Sequence, residues 1–101
     1  MGKWGMTTEL EEQVKKKYKR CVYCQVKLKK YAHTKRSRGN EATLEHIDND
    51  GPNSEANVVM CCRSCNASKG PKKLTVWFES PFCKERKINK RTVASVVRKH
   101  L

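Results

Sequence analysis

Leu10, Val14 and Tyr18 recur at four-residue steps among charged and polar neighbours, the spacing of one helix face. The stretch TTELEEQVKKKYKR has acids in its first turn and lysines in its last, which suits the helix dipole, and Thr8 and Glu11 stand at capping-box spacing. The pattern predicts a helix over 8–19. CVYCQVKLKKY then reads as a tight turn leading into a short alternating strand with Val26 and Leu28. A basic loop, AHTKRSRGNE, ends in Gly39-Asn40, and ATLEHI is short and partly β-favouring. DNDGPNSEAN is a polar connection rich in turn formers, and VVMC is a continuous apolar run suited to a buried strand. RSCNASK reads as a short helix closed by Gly70, with Pro71 just beyond. LTVWF reads as a strand or apolar anchor carrying Trp77 and Phe78. Val93, Val96, Val97 and Leu101 then fall at helical spacing, predicting an amphipathic basic helix over 89–101. Helix, strands and helix around a loop-rich middle make a small α+β domain.

Length and composition sharpen that picture. A chain of 101 residues with 37% hydrophobic content makes one domain, 1–101, whose core is marginal, and a metal staple is a common remedy. Lys and Arg outnumber Asp and Glu by 23 to 10, a formal net charge of +13. The self-repulsion is tolerable if the partner is a polyanion, and nucleic acid fits better than an anionic membrane surface. No stretch approaches the roughly 20 apolar residues of a membrane span. MGKWGMTTEL lacks the apolar core of a secretory signal, and Met6 breaks the myristoylation pattern, so an intracellular, cytoplasmic location is expected. There, six cysteines point to metal or redox chemistry rather than disulfides.

Cys21-x-x-Cys24 and Cys62-x-x-Cys65 are two matched knuckles, each offering two thiolates from one turn; together they make a tetrahedral structural zinc site. A thioredoxin-like redox pair would need a larger βαβ context. Cys61 has the wrong spacing to Cys65 for a knuckle and reads as the buried end of the VVMC strand, while Cys83 is left without a partner.

The stretch between the knuckles exceeds the 15–20 residues of compact four-cysteine fingers. It holds Glu45-His46 at the end of one strand and Asn57 at the start of the next, and Asn66 follows the last knuckle directly, with Lys69-Gly70 beyond. This ordered set resembles the HNH endonuclease family, in the subgroup whose motif is bracketed by two Cys-x-x-Cys knuckles. The resemblance runs over 21–70, about half of the chain. It implies the ββα-metal fold, in which two short strands and a helix surround one catalytic divalent ion, here flanked by terminal helices.

By that resemblance His46 is the general base that activates water, a task suited to imidazole near neutral pH. Glu45 and Asn66 hold the divalent ion, magnesium or manganese from their oxygen donors. Asn57 bonds backbone across the loop and helps orient the histidine. Where the family more often has Asp before the histidine this chain has Glu45, and Asp48 and Asp50 are near enough in sequence to share ligation. Helical neighbours point about 100° apart, so Cys65 can face one ion and Asn66 another.

DNA is the implied partner. Lys35, Arg36 and Arg38 in the first loop, and Lys69, Lys72 and Lys73 after the last knuckle, are the leading phosphate contacts, followed by Lys90, Arg91, Arg98 and Lys99. Six to ten such contacts would make binding steeply salt-dependent. The expected activity is metal-dependent hydrolysis of DNA phosphodiester bonds. The competing reading is a non-catalytic, zinc-stabilised nucleic-acid-binding module, which has no need of the Glu45-His46 and Asn66 set. A zinc protein-interaction domain accords poorly with the +13 charge. Monomer and homodimer are both compatible with the sequence, as is any cleavage specificity. His33 and His100 read as ordinary surface residues.

Overall fold

Two short antiparallel strands and the helix that follows them hold the centre of the computed structural model, which describes residues 6–29 and 39–101. The elements are α1 (Thr8–Lys17), β1 (Ala42–His46), β2 (Val58–Cys62), α2 (Arg63–Lys69), α3 (Leu74–Phe78), α4 (Pro81–Arg86) and α5 (Ser95–Arg98). The register pairs Ala42 with Cys62, Leu44 with Met60 and His46 with Val58.

All five residues of β2 are buried, because the sheet has a core on each face. Val58 and Met60 pack with Leu44, Val14 and Met6 on the side of α1. Val59 and Cys61 face the larger core of Tyr23, Ile47, Trp77, Ile88, Val93 and Val97. A strand covered on both faces has no solvent side to mark with polar residues, hence the continuous apolar run.

Trp77 organises the larger core. It is fully buried, meets the Tyr23 ring edge-on at 5.0 Å and stacks with Phe82 at 6.1 Å. Its indole N–H donates to Ser68 Oγ at 3.0 Å, which ties α3 to α2. The first knuckle is held by Val22, whose N–H donates to Met60 O while its carbonyl accepts from Ala94 N at 2.8 Å.

Four expectations are corrected. The cap of α1 is Thr7, whose Oγ1 accepts from Leu10 N at 3.3 Å, so the helix starts at Thr8 without a Thr8–Glu11 box and ends at Lys17. Among the described residues, the chain around the first knuckle makes single bridges in place of a strand, Arg20 to Lys27 and Lys29 to Glu41; pairing with a different neighbour at each end builds no ladder there. LTVWF is an apolar anchor but not a strand: it forms the helix α3, burying Leu74 and Trp77 three residues apart while Val76 faces solvent. After it Ser80 caps α4, accepting from Cys83 N, with Pro81 at the first helical position. The C-terminal helix contracts to Ser95–Arg98. Asn89 Oδ1 accepts from Arg91 N and Thr92 Oγ1 from Asn89 N, so these side chains fold 89–92 into a turn instead of a helix.

No helix among the described residues is long and apolar enough to cross a membrane.

Because Trp77 joins Tyr23, Ser68 and Phe82, Trp77→Ala is expected to lower the unfolding free energy by about 3–5 kcal/mol, read from denaturant titrations, with Trp77→Phe costing less.

Candidate functional site

The two knuckles come together as their spacing predicts. The Sγ atoms of Cys21, Cys24, Cys62 and Cys65 all lie within 4.8 Å of one another, and Cys24 Sγ is 3.7 Å from Cys62 Sγ. Tetrahedral zinc with sulfur at about 2.3 Å requires sulfur–sulfur separations of about 3.8 Å, so the four cysteines can hold a structural metal such as zinc. Each knuckle turns its backbone onto its first sulfur: Tyr23 N and Cys24 N donate to Cys21 Sγ, and Cys65 N donates to Cys62 Sγ. Donors of this kind favour thiolate. Without a cation the four thiols share protons: hydrogen bonding with Cys21 lowers Cys24 and Cys62, while bonding with Cys24 raises Cys21 and bonding with Cys21 raises Cys65. A metal ion is what lets all four ionise together.

Cys61 and Cys83 stand outside the cluster, in the core. Burial pushes both thiols up, and Thr43 Oγ1 sits 3.6 Å from Cys61 Sγ.

Asn57 fixes the connection between the strands. Its Oδ1 accepts from Asp48 N at 2.9 Å, and its Nδ2 donates to Asp48 O at 3.0 Å and Pro52 O at 3.1 Å. The side chain, 1% exposed, thereby ties the loop's two ends together immediately beyond His46. Gly51 completes the fit, since a Cβ there would lie 2.7 Å from Asn57 Nδ2.

Glu45 and His46 both line one cleft of about 500 Å³, with Asn49, Gly51, Pro52 and Asn53. His46 Nε2 is 2.6 Å from Asn53 Oδ1. The Glu45 side chain is nearly enclosed, and among the described residues its Oε2 has no hydrogen-bond partner. Burial pushes its carboxyl up to about 7, with the Lys69 ammonium pulling the other way. Asp48 and Asp50 do not join it: both are exposed, Asp48 Oδ1 accepts from Asp50 N, and among the described residues the only group of three or more such side chains placed to hold a metal is the cysteine cluster.

Cys62 ends β2 and caps α2, and the helix then lies along β1. Asn66 Nδ2 donates to Thr43 Oγ1 at 3.0 Å and to Leu44 O at 3.2 Å, which leaves its oxygen as the atom a cation could use. One turn further, Lys69 meets the end of the same strand.

That contact corrects the expectation that Lys69 reaches phosphate. Lys69 is completely buried, its Nζ 3.7 Å from Glu45 Oε2 and 3.4 Å from His46 O. Lys72 and Lys73 are exposed and line a second cavity of about 310 Å³ with Asp48, Asp50 and His100. Lys35, Arg36, Arg38 and His33 lie outside the described residues. Asn53, Gly51 and Tyr23 were not singled out by sequence; an Asp-Gly turn signal marks Gly51, and nothing in the sequence sets Asn53 apart from its polar neighbours.

Purified protein is expected to carry about one zinc per chain, and stripping it with a chelator should unfold the domain, read by metal analysis and circular dichroism. Asn57→Ala leaves three backbone groups without their partner and should cost about 2–4 kcal/mol of stability in denaturant titration. Comparison with protein-family models, with curated proteins and with solved structures returns no match for this chain.

Proposed function

We propose that the chain is a metal-dependent DNA endonuclease, in keeping with its resemblance to the HNH family. The observation that carries this reading is the cleft that His46 and Glu45 line together, with α2 bonding Asn66 to the same strand. The net charge of +13 supports a polyanionic substrate.

In this reading His46 takes the proton of the water that attacks phosphorus, and the P–O3′ bond breaks as the new P–O bond forms. Asn53 Oδ1 can only accept, so Nε2 carries the ring proton and Nδ1 is the basic nitrogen. Asn57 keeps the loop in place, so the ring and the cleft wall stay in register. Glu45 Oε2 and Asn66 Oδ1 are oxygen donors of the kind that suit magnesium or manganese, and they would hold the ion. When bound, such an ion supplies charge stabilisation at the phosphate and the leaving oxygen. Lys72 and Lys73, with Lys35, Arg36 and Arg38, would neutralise flanking phosphates. The cysteine cluster takes no part in the chemistry; holding zinc, it fixes the start of α2.

A second reading, a non-catalytic zinc-stabilised nucleic-acid-binding module, is favoured by one observation: Glu45 already has a cationic neighbour in Lys69.

A plasmid-nicking assay with magnesium or manganese separates the two. The endonuclease should nick, and His46→Ala should lose about 100-fold or more in rate while still binding DNA. Undiminished nicking by the variant removes His46 as base; DNA binding without cleavage by the native chain selects the binding module.

A further inference from the structure

A lysine with no solvent exposure is expensive to bury, and it persists only where something answers its charge. The answer to Lys69 is incomplete: a backbone carbonyl at 3.4 Å and the Glu45 carboxylate at 3.7 Å, too far for a good hydrogen bond. Among the described residues no group donates a hydrogen bond to Glu45 Oε2, although it is buried. The pair is an ion pair in charge but not in geometry. Lys69 approaches from the protein side, off α2, while Glu45 also lines the cleft. The carboxylate therefore stands between the Lys69 side chain behind it and an open volume in front.

We propose that Lys69 is a built-in competitor for the divalent cation at Glu45, holding that carboxylate's affinity for an added ion low. The inference rests on the endonuclease reading, in which Glu45 is a metal ligand, and adds what regulates that ligand. Among the described residues Lys69 is the cation nearest the Glu45 carboxyl, 3.7 Å from Oε2. The same charge repels an incoming divalent ion across a poorly screened interior, where like charges a few ångströms apart interact strongly. Lys69 thus acts on the ion through Glu45 and is a positioning residue with no contact to substrate.

Manganese binding to the zinc-loaded protein, followed by the electron paramagnetic resonance of free manganese at pH 8, tests this without reference to activity. Lys69→Met and Lys69→Gln should each bind manganese at least about tenfold more tightly than the native chain, and Lys69→Arg, which keeps the charge, should stay as weak as native. The gain should disappear in Lys69→Met combined with Glu45→Gln. A purely structural role for Lys69 would weaken binding in every variant, and zinc content with circular dichroism identifies any variant that fails to fold. Two neutral variants are included so that one misfolded protein does not decide the result. Equal or weaker binding in the folded neutral variants overturns the inference alone, as does a gain that survives Glu45→Gln. No manganese binding by the native chain or any variant overturns it together with the metal-dependent reading.

Discussion

Contact between sulfur atoms 38 residues apart, Cys24 and Cys62, is the constraint on which the rest of the structure depends. The closed segment contains both strands and the loop between them. A chain with so many lysines and so few large apolar side chains has little other means of offsetting the entropy of that closure. The cluster also does something a hydrophobic contact could not. It fixes the direction of the backbone at two points, because each knuckle wraps its own amide groups around a sulfur. Val22 then hands the first knuckle to both β2 and the C-terminal segment, so one short turn is bonded to the centre and the periphery at once.

From that anchorage α2 works as a ruler. Cys62 and Cys65 set its beginning, and helical geometry leaves no choice about where the next side chains go. Asn66 meets the middle of β1 and Lys69 meets its end. Both are polar groups delivered into a protein interior, and they differ in how completely they are received. Asn66 finds two acceptors for its amide nitrogen. Lys69 and Glu45 find each other at a distance that satisfies neither, in a domain where Asn57, by contrast, has every hydrogen-bonding arm it needs. A fully bonded buried amide at Asn57 and a poorly met buried charge pair at Lys69 and Glu45 thus lie at the same end of the strand pair, where His46 is in register with Val58.

The parts of this design that were legible in the sequence are those written in spacing. Two Cys-x-x-Cys pairs announce a cluster whatever lies between them, and the apolar run before the second pair, with Gly70 and Pro71 after it, marks β2 and α2. The C-terminal third was less legible for a physical reason. LTVWF is five residues long, too short for a period of two to be told from a period near three and a half, and its helix is stabilised by Trp77 reaching Ser68 rather than by its own pattern. The valines of 93–97 do have helical spacing, but the side chains of Asn89 and Thr92 capture the backbone before a helix can start. In the sequence Lys69 reads as a phosphate contact, because a lysine near a helix end is nearly always at the surface. Only the register of α2 on β1, a three-dimensional fact, turns it inward.

Gly39 has a consequence of a mechanical kind. Its carbonyl accepts the N–H of Ser64, the carbonyl of Glu41 accepts that of Arg63, and a side chain at 39 would collide with Ser64 Oγ. The exit from the basic segment 30–38 is therefore stitched to the first turn of α2, next to the sulfurs. A displacement of the chain at 39–41 thus passes to the helix that carries Asn66 and Lys69 through two backbone hydrogen bonds.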